Sequence, residues 1–170
     1  MKRLLPLFLL GLTACSGSDS REAMPGVSLL KDFSMAEVAA GASSWRLDAE
    51  TGRLDEKKGV ITFSAPHIKF FDQDEVSSVI TAREGYLKTR EKTARLTDEV
   101  VVDAKKDGMR LTTTKLYYSS ARAKIWTDEP VTIYKGRTVI KGRGFTANPD
   151  LSEIEIQHQE TRLAGSAPGK

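Results

Sequence analysis

The chain repeats itself. Leu47-x-Ala49-x-x-Gly52-x-Leu54 returns as Ile80-x-Ala82-x-x-Gly85-x-Leu87 and again as Leu111-x-Thr113-x-x-Leu116-x-Tyr118, with starts 33 and 31 residues apart. The later half of each unit returns as well. Ile68, Val100 and Val131 follow Leu54, Leu87 and Tyr118 by 14, 13 and 13 residues. A fading copy follows, with Ile154 and Ile156 lying 31 residues after Ala123 and Ile125. Three copies in one register mean a stacked array of similar units.

Within a unit the period is two. Leu111, Thr113, Leu116 and Tyr118 fall on one side of an extended backbone, and Ile125, Val131 and Ile133 continue it after the polar break at Ser119-Ser120. Alternation of this kind marks a half-buried strand, and Thr, Tyr, Ile, Val and Trp suit a pleated surface. Strands are therefore predicted at Trp45–Ala49, Val76–Ala82, Tyr86–Thr89, Thr93–Thr97, Glu99–Ala104 and Met109–Thr114. Val60–Phe71 reads as a long strand broken at Pro66, and Thr138–Ala147 and Ser152–Gln157 finish the sheet. Thr51-Gly52 gives a turn or bulge. Asp55–Gly59, Lys105–Gly108 and Asn148–Asp150 carry turn chemistry. Val27–Ala40 supports two readings. MAEVAA favours helix, whereas LLKDFSM pairs as a strand over Leu29–Met35, closed by Gly41 and the serines after it; the strand is favoured. The fold class is all-β, with about a dozen or more short strands, and a sheet that large must close or fold into two layers.

The N-terminus has a different pattern. Met1-Lys2-Arg3 is a positive n-region, Leu4–Leu12 an apolar run, and Leu12-Thr13-Ala14-Cys15 places small residues before the single cysteine. This is the layout of a secretory signal, and the apolar run is about half of the roughly 20 residues a spanning helix needs. The motif resembles the bacterial lipobox, in which the cysteine is diacylated and becomes the first mature residue. Ordinary cleavage near Ala14 is the plainer alternative. The chain thus divides into a signal at 1–14, an acylated tether at 15–28 rich in Ser, Gly, Asp and Pro, a β domain at 29–158, and a polar tail at 159–170.

Composition excludes more than it suggests. Charged residues are 29% of the chain and spread along it; without Lys2 and Arg3 the balance is 24 basic against 23 acidic. A nucleic-acid binder would show a clustered basic face. His67 and His158 are far apart, and no set of His, Cys and carboxylates has metal-ligand spacing. Asp98-Glu99 and Asp128-Glu129 could do acid/base chemistry, but they recur with the repeat, so turn chemistry explains them better. No nucleophile elbow or phosphate-binding loop occurs. The expectation is a protein that is not an enzyme and holds no metal or cofactor.

The apolar faces remain. Trp45, Phe63, Phe70, Tyr118 and Phe145 share the inward register. They form either a plain core or a slot that takes up a lipid. Gly52, Gly85, Ala49, Ala82 and Ala94 lie on the same side and are expected to keep that interior roomy.

The order of these motifs carries a resemblance. It runs from Trp45-Arg46-Leu47-Asp48-Ala49 through Asp107-Gly108, Leu111, Thr113, Leu116, Tyr118 and Ile125 to Thr127-Asp128-Glu129-Pro130-Val131 and Gly142-x-Gly144. Over Leu29–Ile156 it resembles the LptC family, the periplasmic bridge component of lipopolysaccharide export. The resemblance implies a twisted two-sheet β-jellyroll, open at both ends, whose hydrophobic groove receives lipopolysaccharide acyl chains. The inward residues that would line it are Trp45, Leu47, Phe63, Ile68, Phe70 and Ile80, then Leu87, Leu96, Val100, Val102 and Leu111, then Leu116, Tyr118, Ile125, Val131 and Ile133. It also implies edge-to-edge docking: the jellyroll domains of an ABC transporter on one side, an LptA-like bridge protein on the other. Ser152, Ile154 and Ile156 are the candidate partner edge. Many members of the family have a spanning helix where this chain has a lipobox at Cys15. Ser16 stands where an aspartate commonly retains lipoproteins at the inner membrane. The periplasmic side of the inner membrane therefore follows from the family role, with the outer membrane as the alternative. Two other functions stay open: a soluble LptA-like bridge, and a structural β-lipoprotein without a ligand.

Overall fold

The structure, a computed structural model, describes residues 26–39 and 42–162. The expected signal, Cys15 and its tether up to residue 25, Gly41, and residues 163–170 of the expected tail lie outside the described residues.

Every element is a strand. They are β1 (Val27–Ala39), β2 (Ala42–Asp55), β3 (Val60–Ser64), β4 (His67–Asp72), β5 (Glu75–Thr81), β6 (Glu84–Lys88), β7 (Thr93–Ala104), β8 (Arg110–Ser119), β9 (Lys124–Lys135), β10 (Thr138–Ala147) and β11 (Ile154–Arg162). All pairings are antiparallel. β2 pairs β1 along its length, β4 through its first half and β3 through its second. β7 does the same farther along, pairing β6 with Thr93–Lys88 to Thr97–Glu84 and β5 with Val101–Thr81 to Ala104–Ser78. β8, β9, β10 and β11 then follow in order.

A crease crosses this sheet. Ala65-Pro66 separates β3 from β4, and Ala82-Arg83 separates β5 from β6. Asp98 and Glu99 take positive φ of 62° and 51° inside β7, where its register to β8 shifts. Asp32 on β1 (φ 46°) and Gly144 on β10 (φ 76°) continue the line. Backbone bonds run along it: Ala65 N–H donates to the Arg83 carbonyl (2.8 Å) and Arg83 N–H to the Asp98 carbonyl (2.9 Å). Bulges bend strands and strengthen their twist, so a row of them folds one sheet into two layers. One layer holds the first half of β2 with β4, β5 and the second half of β7. The other holds β3, β6 and the opposite halves. This is the expected two-layer β-jellyroll, in eleven strands, several of them longer than the short strands expected.

The corrections have physical reasons. β1 spans Val27–Ala39 as one strand, because pairing to β2 from Val27–Asp55 to Ala39–Ala42 overrides the helical propensity of MAEVAA. Thr93–Thr97 and Glu99–Ala104 are one strand bent at the crease. The carboxylates Asp98-Glu99 and Asp128-Glu129 sit at the crease rather than at hairpin tips, where Arg83 pairs with Glu99 (2.6 Å) and Lys115 with Glu129 (2.9 Å). β11 runs four to five residues past Gln157 into the expected tail. Ser152 is not an edge residue: it precedes β11, in a turn where its N–H donates to Asp150 Oδ1 (3.0 Å).

The glycines were expected to leave room, and they do not. The ring of Phe33 lies over Gly52, 2.5 Å from where a Cβ would stand. The ring of Phe63 lies over Gly85, also at 2.5 Å, with Leu96 Cδ2 at 2.7 Å and the Arg95 carbonyl at 2.9 Å. Each missing side chain is replaced by an aromatic ring from a neighbouring strand. The two sites differ in what can yield. Phe33 is half-buried on the edge strand, whereas a backbone carbonyl at Gly85 cannot move without the sheet. Gly85→Ala is therefore expected to destabilise the domain by about 1–3 kcal/mol, and Gly52→Ala by less. Thermal unfolding followed by circular dichroism checks this order; an equal or larger loss at Gly52 would refute it.

Candidate functional site

Every inward residue read from the alternation faces the interior. Fifteen of the sixteen groove candidates are buried and Tyr118 is half-buried. The crease divides them by position. Trp45, Leu47, Ile68, Phe70 and Ile80 from one layer face Phe63, Leu87, Leu96, Leu116 and Tyr118 from the other across one apolar slot. Ala94, one of the small residues read as inward, joins this lining, as does Tyr117, which was not singled out from the sequence. Val100, Val102, Leu111, Ile125, Val131 and Ile133 lie beyond it, in the continuing core with Met109, Phe145 and Leu151.

The slot is closed. Its free volume is about 20 Å³, room for about one water, where small-molecule pockets run to about 300–1,000 Å³. Side chains of the two layers fill it by interdigitation.

Three contacts shut the mouth opposite the crease, and each joins the two layers. On the β1 side, Glu37 binds three donors. Lys92 Nζ stands 2.6 Å from Oε1, while Trp45 Nε1–H (2.7 Å) and Ser120 Oγ (2.8 Å) donate to Oε2. One carboxylate thereby joins β1, β2, the β6–β7 turn and the β8–β9 turn. In the middle, Phe70 meets Tyr118 edge-on with ring centroids 5.1 Å apart. Burial pushes the Tyr118 hydroxyl above its ordinary value. On the far side, Ser78 Oγ donates to the Pro149 carbonyl (2.6 Å), and Leu151 from the same turn is buried in the core. A cavity of about 320 Å³ flanks the mouth beneath the end of β1, lined mainly by Met35, Val38, Trp45, Leu87, Thr89 and Lys92. Trp45 and Leu87 also line the slot, so they are the partition between the two spaces.

Among the described residues, β1 pairs with β2 alone and β11 with β10 alone, so these two strands are the edges of the sheet. On β11, Ile154 and Ile156 turn half-buried toward the core while Glu155 is exposed. His67 is half-buried, His158 is exposed, and among the described residues no three His, Cys, Asp or Glu side chains converge as a metal site. Among the same residues no helix is long and apolar enough to cross a membrane.

Two antiparallel layers folded along a crease, with an apolar interior and two unpaired edges, define a β-jellyroll. The sequence profile described as lipopolysaccharide-assembly, LptC-related matches residues 26–163, and the chain belongs to that family. None of the curated proteins matches the chain. Among solved structures it is similar to LptH, the LptA homologous periplasmic component of the lipopolysaccharide transport device from Pseudomonas aeruginosa. That match has a TM-score of 0.55 and 13% identity, covering 74% of this chain and 90% of the other. At that identity the likeness is one of fold.

The Glu37 cluster has a testable electrostatic signature. The Lys92 ammonium, with smaller help from Ser120 and Trp45, holds the Glu37 carboxyl below its ordinary value of 4.5 against the opposing effect of burial. A carboxylate depressed in the folded state stabilises it above the unfolded value and loses that contribution as pH falls through the folded value. Wild type should therefore exceed Glu37→Gln in stability at pH 7. The gap should shrink as pH drops below 4.5. Urea midpoints of both proteins at pH 7 and pH 3.5 measure it; a gap that is constant or grows in acid would contradict the assignment.

Proposed function

We propose that this chain is a non-enzymatic lipid conduit, the LptC-type periplasmic bridge of a lipopolysaccharide export system. It receives acyl chains between its two layers and passes them to the next jellyroll. The observation that carries this reading is the apolar slot, which joins both layers and is shut at its mouth by side-chain contacts rather than by a strand. Family membership supports the cargo class. The energy for directed transport would come from ATP hydrolysis on partner proteins, since nothing in this sequence resembles a phosphate-binding loop.

The anchor belongs to the same proposal. Acylation of Cys15 by two chains would hold the domain stably at a membrane, which one chain would not. The tether would lift it from the surface, ending before β1, which already pairs with β2 at Val27 and Ser28. The periplasmic face of the inner membrane follows from the bridge role. Labelling of Cys15 with radioactive palmitate separates this reading from a soluble LptA-like bridge, which would carry no label. Co-purified lipopolysaccharide separates both from a scaffolding lipoprotein.

The direct test is capture. A photo-crosslinking residue at Phe63, Leu87 or Tyr118 should trap lipopolysaccharide, and one at Lys57 or Lys106 on the exposed tips should not. Equal labelling of tips and interior would sink the conduit.

The edges supply the partners. We infer that β11 receives the next bridge protein by strand addition, in which backbone bonds give affinity and alternate side chains give specificity. β1 and the Trp45 end would face the transporter's jellyroll domains. Because Leu151 is buried at 4% exposure, truncation must fall after Glu153 to remove β11 and spare the core. That truncation, and Ile154→Pro, should abolish downstream binding while transporter association survives. Full downstream binding by both folded variants would place the bridge elsewhere.

A further inference from the structure

The slot has no room for a chain as it stands, but the space beside its mouth does. The cavity beneath the end of β1 is an open cleft of about 320 Å³, against about 20 Å³ inside the slot. Its wall is mostly apolar, from Met35, Val38, Trp45 and Leu87, and its polar side chains are Glu37, Thr89 and Lys92. Val38 is 63% exposed, a large apolar side chain facing water beside this space. Lys92 is 63% exposed, and among the described residues its ammonium pairs with the Glu37 carboxylate. Trp45 and Leu87 line both this cavity and the slot, and the Trp45 indole is pinned by its bond to Glu37.

We propose that this cavity is the first acyl-chain site of the protein, taking one saturated chain of a phosphorylated glycolipid, with Lys92 receiving the phosphate. This rests on the conduit reading above. A phosphate offers Lys92 a charge-assisted bond like the one Glu37 now makes. Exchange of Glu37 for phosphate on Lys92 leaves the carboxylate held by Trp45 and Ser120 alone. Without the Lys92 anchor the carboxylate and the indole bonded to it can shift together, which opens the partition, and the chain that occupies the cavity continues into the slot between the layers. Trp45 and Glu37 are positioning residues in this scheme; Lys92 contacts the ligand.

The test uses the purified mature chain with benzoylphenylalanine placed singly at Val38, Phe63 or Leu29. Leu29 is the control, 80% exposed and nine residues before Val38 on the same strand. Met35 serves as a second cavity position if the Val38 variant misfolds by circular dichroism. Lipopolysaccharide and phosphatidylglycerol vesicles are run as separate arms. The expected result is capture of lipopolysaccharide at Val38 and Phe63 and none at Leu29. Lys92→Gln should lower capture at Val38 about fivefold, the ratio an exposed ion pair controls. Glu37→Gln, which frees Lys92 and loosens the Trp45 indole, should raise capture at both Val38 and Phe63. Capture at Phe63 without Val38 overturns this site and leaves the conduit standing. Silence at both positions overturns the conduit as well. Equal capture at Val38 and Leu29, or capture of phosphatidylglycerol alone, also overturns the assignment.

Discussion

One sheet with one apolar face has to hide that face against itself. Among the described residues no helix covers it, and the chain solves this by breaking or bulging its strands along one line. The crease from Asp32 through Ala65-Pro66, Ala82-Arg83 and Asp98-Glu99 to Gly144 is therefore the feature on which the others depend. Without it the slot, the mouth and the inward register would not exist. Its backbone is expensive where non-glycine residues take positive φ, and the backbone bonds from Ala65 to Arg83 to Asp98 offset part of that cost.

Much of this was legible because period two is unforgiving. A slipped register turns every inward side chain outward, so Leu47, Phe63, Ile80, Leu96 and Ile125 could be assigned to the interior from alternation alone. Even the bend left a trace: Leu111 and Thr113 are two apart, but Thr113 and Leu116 are three, and the register of β8 to β9 shifts there. What the sequence hid was long-range. Glu37 meets Lys92 and Ser120 across 55 and 83 residues, and nothing local announces it. The only hint was that a buried indole N–H requires an acceptor somewhere. Gly52 and Gly85 misled for a related reason. The rings that fill them come from other strands, so local spacing read as room what tertiary packing used as sockets. The strand at Val27–Ala39 was ambiguous because an edge strand has one partner and a weaker apolar signature.

The closed slot bears on how cargo could be held. An open apolar cleft in water would lose about 25 cal/mol for each Å² left exposed, so an empty conduit is more stable shut. On the conduit reading an acyl chain entering between the layers would exchange side-chain contacts for chain contacts of the same dispersive kind. Such an exchange lies near balance. A carrier that hands its load onward benefits from that balance, since a deep well would retain what it is meant to release. The three closures of the mouth are also unequal. The Phe70–Tyr118 contact is apolar and the Ser78–Pro149 bond is neutral and backed by the buried Leu151, whereas the Glu37 cluster is ionic and sensitive to salt and competing anions.

The crease runs across the strands, from Asp32 on one free edge to the stretch of β11 opposite Gly144 on the other. A strand laid along either edge meets that bend partway through its length. If it stays straight, it can pair on one side of the bend and must peel away on the other, forfeiting about half its ladder. Only a strand with its own break at the matching position follows the edge from end to end. The fold therefore imposes a geometric password on its neighbours, written in the placement of a kink and independent of any side-chain match.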